Sequence, residues 1–270
     1  MSRKKEKSIS NVSGLTGVLA GRRIYYALGL ALVLFFWNPV VDRRASIQWD
    51  AVDVHYPAQR YFAEEVLQGR LPEWTPFVFS GFPFLADPQV GAWYPLNWPF
   101  FLIGVTPWAI QLELVLHGAL AVLGAFLLLR LWTGHAVASL VGALAYGLGG
   151  FFAGHSSHVG MYQGAALFAW LLYFAERAME AATLRWASCA ALGAGGIVLA
   201  GHAQTALYSM LGLGLFLVVQ VALKPAIWPR AAAVLALAAG LGGAFAAVVI
   251  LPGMELTAES IRAGFDFSQG

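Results

Sequence analysis

Charge is the first thing this chain lacks. Only 11% of its 270 residues are Asp, Glu, Lys or Arg, less than half of the roughly 25% found in soluble domains. So few charges exclude a water-facing surface over most of the molecule. They also exclude the basic stripes on which nucleic-acid binding depends. Cysteine is nearly absent too. Cys189 is the one thiol, so no intramolecular disulfide can form, and the redox compartment cannot be read from sulfur. There is no Walker loop, nucleophile-elbow serine or C-x-x-C pair. The glycines of "GLGGFFAG" (Gly147 to Gly154) follow no strand and break the G-x-G-x-x-G pattern at Phe152, so they read as close helix packing in lipid, with Gly150 and Gly154 as the small-residue pair.

What is present is apolar. Hydrophobic residues make up 59% and mean hydropathy is +0.69, above the roughly 45–50% apolar content of soluble chains. Several runs approach the about 20 residues that a helix needs to cross a bilayer. The pattern predicts an all-α, polytopic transmembrane helix bundle of about seven spans: 24–41, 108–132, 136–153, 161–176, 186–201, 205–223 and 231–251. The joins at 133–135 and 202–204 are short enough for antiparallel hairpins. The basic head 1–23 precedes an apolar run with no small-x-small cleavage site after it, so span 24–41 reads as an uncleaved anchor. Residues 42–107 form a large first outer loop, 108–251 a six-helix region, and 252–270 the start of a further outer segment that reads as truncated.

Basic residues orient the bundle. With the N-terminus inside, the inner side collects Arg3, Lys4, Lys5, Lys7, Arg22, Arg23, Arg130, Arg177, Arg185, Lys224 and Arg230, against Arg43, Arg44, Arg60, Arg70 and Arg262 outside. Asp42, Asp50, Asp53, Glu64, Glu65, Glu73, Asp87, Glu255, Glu259 and Asp266 then fall outside, as do His55, His155, His158 and His202. The outer face is where the titratable chemistry gathers. In the first loop, "AQRYFAEEVLQGR" puts Tyr61, Phe62, Val66 and Leu67 at helical spacing with Gly69 as a stop, which predicts an amphipathic helix along the membrane surface. Trp93, Tyr94, Trp98 and Trp108 suit an interfacial aromatic belt.

Asp50 and Asp53, in "WDAVDVHYP", would share one face of a helix about 5–6 Å apart. Two like charges so close suit a general base or a cation ligand. Solvated acids beside a membrane are the plainer reading. Glu113 and His117, four apart inside a span, mark either a transport pathway or an interhelical hydrogen bond that holds the bundle together.

The ordered set "D-x-x-Y-P", "LPEWTPFVFSGFPFLADPQVGAWYP", "LHGALA", "GHAQTALY" and "LPGMELTAESIR" resembles the YfhO family of bacterial membrane proteins, which looks like part of the C-type glycosyltransferase superfamily (GT-C). The resemblance covers residues 45–270 and implies a GT-C-like fold. Members of the family are longer, so the chain resembles their N-terminal part. The implied location is the bacterial inner (plasma) membrane, with the N-terminus cytoplasmic. The implied activity is transfer of a sugar from a polyprenyl-phosphate donor to an extracytoplasmic glycan, lipid or protein. A first-loop aspartate serves as general base, and Asp53 matches that position best, with Asp50 second. His155, His158, His202 and Gln204 are candidates to hold sugar hydroxyls or the donor phosphate. Arg60, Arg262 and Glu255 flank the same face, and an arginine fork suits a phosphate. Carboxylate with imidazole also suits a divalent metal such as Mg²⁺, Mn²⁺ or Zn²⁺, for which Asp50, Asp53 and His55 are the candidate ligands. The rival reading is a transporter or flippase for a lipid-linked sugar, working through Glu113 and His117. A third is a non-catalytic assembly subunit.

Overall fold

A computed structural model describes residues 23–44 and 46–260. Arg262 and the basic residues before Arg23 lie outside them. The described chain is all-helical, with no strand among the described residues. Four helices are long and apolar enough to cross a membrane: Pro107–Thr133, Ala136–Gly154, Ala203–Leu223 and Pro225–Ala258. The chain is a membrane protein. The other three apolar runs are helical as well. Arg23–Phe35 (α1) and Leu184–Leu199 (α9) are shorter apolar helices. At 16 residues, α9 reaches about 24 Å, less than the roughly 30 Å hydrocarbon core. Val159–Ala181 (α8) has 23 residues, but Gln163, Glu176, Arg177 and Glu180 lower its hydropathy.

Local chemistry sets the helix ends. Helix α2 is the short turn Trp37–Val40, α3 is Tyr56–Leu67 and α4 is Trp98–Ile103. Helix α5 (Pro107–Thr133) starts on Thr106, whose side chain accepts from the Ala109 N–H, with Pro107 at the first position; it stops at left-handed Gly134. These are the expected cap residues. His135 caps α6 (Ala136–Gly147) and His202 caps α10 (Ala203–Leu223) in the same way. Helix α7 (Gly150–Gly154) follows α6. The last apolar run is α11 (Trp228–Leu237), a π-helical turn (Ala238–Gly242) and α12 (Gly243–Ala258).

The bundle centres on α8, which packs against α5 and α9, while α5 also packs on α6. Helix α9 meets the π turn through small side chains. A Cβ on Gly195 would lie 2.7 Å from the Gly242 carbonyl oxygen, so the crossing is backbone to backbone, as small residues permit in lipid. The expected Gly150–Gly154 contact is not there. Both glycines face open space, and it is Gly147 that abuts Val122. The chain unwinds around Gly149, so the pair never reaches a helix interface.

The segment 46–106, between α2 and α5, is folded onto the bundle. Helix α3 buries Gln59, Phe62 and Ala63, with the Phe62 ring edge-on to Trp98 and Phe101. Its apolar face is therefore covered by protein, not lipid, whereas Leu67 stays exposed. Left-handed Gly69 ends the helix as expected. The aromatic belt is likewise turned inward. Tyr94 is 1% exposed. Trp98 donates to the Ala92 carbonyl and Trp108 to the Pro39 carbonyl, while Trp93 packs against the core. Their polar atoms find partners within the fold, so the interface is not needed to satisfy them. Gly201 closes the loop onto the bundle. It sits at φ +86°, with the Pro88 carbonyl where a Cβ would be, so no other residue fits the α9–α10 turn beneath the loop.

Candidate functional site

The segment after Trp49 decides the geometry of the two aspartates. Trp49 is left-handed at φ +55°, and the chain continues into a π-helical turn over Ala51–His55. A π turn is wider than an α turn, so residues three apart no longer stack. Asp50 and Asp53 accordingly meet different surroundings. Asp50 Oδ2 lies 3.5 Å from His158 Nε2, at the N-terminal end of α8, with both side chains about half exposed. Asp53 is exposed and opens on a separate cavity.

His158 is one of four histidines drawn together at this end of the bundle. The His155 and His158 rings are 5.7 Å apart. His155 stacks on Phe151 and donates from Nδ1 to its carbonyl oxygen at 2.9 Å, because a carbonyl can only accept. That leaves Nε2 free to face outward. His202 has the opposite tautomer. Its Nδ1 accepts from the Thr205 N–H at 3.2 Å and lies 2.7 Å from the Thr205 hydroxyl, so Nε2 carries the hydrogen. Partial burial and the neighbouring His158 and His155 hold its pKa below the ordinary histidine value. His55 is buried beneath the loop. Burial pushes its imidazole down to about 4, against the upward pull of Asp50 and a hydrogen bond to the Gln89 backbone.

Two cavities flank this cluster. One, of about 440 Å³, is an apolar groove between α6–α7, α8 and α10, floored by Phe152, Met161, Ala165 and Phe168 and rimmed by His155, His202 and Gln204. The other, of about 730 Å³, lies between α3 and the 75–90 segment and takes in Asp53, Arg60, Asp87 and Gln89. His55 links them, bonded to Gln89 on one side and within electrostatic range of His158 and His202 on the other.

The remaining predicted residues divide. Arg60 borders the second cavity, but its guanidinium is engaged along α3, with Glu64 Oε1 at 2.7 Å and the Tyr56 hydroxyl at 3.0 Å. Glu255 is exposed on α12 and borders neither cavity. Arg262 lies outside the described residues. Asp50, Asp53 and His55 do not converge, and no three His, Cys, Asp or Glu side chains gather around one point among the described residues.

Glu113 and His117 form a closed assembly. Both are fully buried. Glu113 Oε2 accepts from Gln59 Nε2 at 3.2 Å and Gln163 Nε2 at 3.3 Å, and Gln163 also donates to Asn97 Oδ1 at 2.7 Å. His117 donates from Nδ1 to the Glu113 carbonyl at 2.6 Å, so its Nε2 accepts from the Tyr94 hydroxyl at 2.8 Å. Burial keeps the Tyr94 phenol above its ordinary pKa and therefore a donor. Neither Glu113 nor His117 borders the two outer cavities. The network ties the first loop (Gln59, Tyr94, Asn97) to α5 and α8, the structural one of the two roles expected for this pair.

Sequence reasoning missed Asp87 and the amides of this network. Asp87 precedes a proline and accepts from the Gln89 N–H at 2.9 Å; "ADPQ" is a legible turn signal. Burial raises its pKa, with that N–H opposing. Gln163 could have been found as a polar residue inside an apolar run.

No family model, curated protein or solved structure matches this chain.

Proposed function

We propose that this membrane protein, alone or as part of a longer chain, transfers a sugar from a polyprenyl-phosphate donor to an acceptor at the outer face of the bacterial inner membrane. In this reading the bundle is a seven-span, GT-C-like one with its N-terminus in the cytoplasm, and the YfhO family is the resemblance that suggests it. The observation that carries the reading is the apolar groove with a polar mouth. Phe152, Met161, Ala165 and Phe168 offer an isoprenoid chain an apolar floor, while His155, His202 and Gln204 stand at the rim where the phosphate would lie. The His202 Nε2–H is available to donate to a phosphate oxygen, as is His155 once protonated.

Asp53 is the base in this scheme. It takes the acceptor hydroxyl's proton as the oxygen attacks the anomeric carbon, and the bond from that carbon to the phosphate oxygen breaks. The lipid phosphate leaves with the electron pair, so no second acid is required. Asp50 orients His158, whose ring lies 5.7 Å from that of His155 at the groove rim. The rival transporter reading needs Glu113 and His117 in an open pathway, and their enclosure gives it no support.

The test is transfer from a radiolabelled polyprenyl-phosphate sugar in membranes containing the chain. Asp53→Asn should lower the rate about 10²–10⁴-fold, the span of general-base catalysis, with folding intact. Undiminished transfer removes Asp53 from the chemistry; labelled donor that accumulates on the far leaflet without transfer favours a flippase.

A further inference from the structure

The cavity beside Asp53 differs in chemistry from the groove beside the histidines. Its outer wall is a hairpin-like loop closed by the Thr75–Phe82 bridge, and the rings at its tip are left in the open. Phe77 is 78% exposed and Phe79 is 85% exposed. Phe79 and Ser80 are both left-handed, at φ +52° and +62°. For a phenylalanine that backbone is strained, and such strain persists where surrounding structure or function demands it. Tyr61 supports the loop from α3, edge-on to Phe77 at 5.6 Å, with its hydroxyl donating to the Trp74 carbonyl at 3.2 Å. Asp53, Arg60 and Asp87 line the same cavity.

A cavity lined by both rings and ionised or amide groups suits a ligand with one apolar face and a rim of hydroxyls. An acyl chain filling the cavity would take water from the Asp53 carboxylate and the half-buried Asp87 and give their oxygens no hydrogen bond in exchange, which opposes binding. A pyranose satisfies both kinds of group. Its C–H face lies against an aromatic ring, and its hydroxyls donate to carboxylates and accept from a guanidinium. The cavity volume, about 730 Å³, falls within the range of small-molecule sites.

We propose that the cavity between α3 and the 75–90 loop is a saccharide-binding site, with Phe77 and Phe79 as the stacking platform and Asp87 and Arg60 as hydroxyl partners. It rests on the transfer reading only in making this saccharide the acceptor, with a hydroxyl directed at Asp53; the binding itself does not require turnover.

The experiment measures binding of neutral trisaccharides (maltotriose, cellotriose and chitotriose) to the chain in lipid nanodiscs by saturation-transfer NMR, alongside transfer activity. At least one trisaccharide should bind. Phe77→Ala and Phe79→Ala change exposed rings and should leave folding intact, and each should weaken binding about three- to tenfold, as expected for one lost aromatic contact. Asp87→Asn should weaken it further. No binding by any trisaccharide, or binding indifferent to both ring variants, overturns the site. Saturation transfer from the lipid acyl chains to the Phe77 and Phe79 rings without any saccharide binding would assign the tip to lipid insertion and overturn it equally. Saccharide binding without transfer leaves this site standing and removes the transferase reading. Transfer that is indifferent to Phe77 and Phe79 leaves the transferase reading standing and overturns the assignment of this saccharide as its acceptor.

Discussion

The two polar assemblies of this protein use the same residue types in opposite settings. The Glu113 network and the Asp50 cluster each combine a carboxylate with histidine, and each joins the 46–106 segment to the α8 end of the bundle. Glu113 and His117 are fully buried and held by amides, a phenol and a carbonyl, although Glu113 Oε1 and Gln59 Oε1 meet no hydrogen-bond partner among the described residues. Asp50 and His158 are about half exposed, and His155 turns a free ring nitrogen outward. Enclosure makes the first assembly a clamp. Openness leaves the second able to bind. A carboxylate–histidine pair in a membrane protein is therefore no sign of function by itself; what counts is whether a ligand can reach it.

That contrast can be broken on the buried side first. Glu113→Leu removes the one acceptor recorded for Gln59 Nε2 and one of two for Gln163 Nε2. It should cost about 3 kcal/mol of stability, since leaving a buried donor unmet costs about 1–3 kcal/mol each. Thermal unfolding in detergent measures this; a change under about 0.5 kcal/mol would show that the network does not clamp the loop.

His55, the buried member of the histidine cluster, should show a pH signature of comparable size. Its folded pKa is about 4 against an ordinary 6.5, so the unfolded chain takes up the proton first. The stabilisation is fully present above pH 6.5 and is lost as pH falls from 6.5 toward 4, by at most about 3 kcal/mol at about 1.4 kcal/mol per unit. His55→Gln should flatten unfolding temperature across that window. An equal slope in the variant would assign the acid sensitivity elsewhere.

The exposed side should be the least sensitive. Asp50→Asn removes a half-exposed pair at 3.5 Å and should change stability by no more than about 1 kcal/mol, as surface pairs do. The same variant should still lower sugar transfer if Asp50 orients His158 beside His155. A large stability loss with normal transfer would reverse the roles assigned to the two assemblies.

Much of the helix pattern was legible because lipid crossing demands long apolar runs, and each run expected to span is helical. Helix α3, its stop at Gly69 and the short turn at 202 were also legible, from period and glycine. The relation of Asp50 to Asp53 was not. Three-residue spacing implies a shared face only in an α-helix, and the π turn after left-handed Trp49 set the two apart. The glycines of 150–154 misled for a related reason: small residues permit close packing, but whether a partner arrives depends on where the helix bends. Trp98, Trp108 and Tyr94 looked interfacial because the sequence shows their amphipathic rings and not the carbonyls and imidazole that meet them.

By itself, then, the order of residues determined that this is a helical membrane protein, and it assigned four of the six histidines and most of the acids to one end. Apolar length and local capping are short-range properties, written residue by residue. Which of those acids became a sealed clamp, which stayed open to water and which shares a cavity with exposed rings was decided only in three dimensions. Burial and hydrogen-bond partners come from segments as far apart as Gln59, Glu113 and Gln163, and no local pattern encodes their meeting.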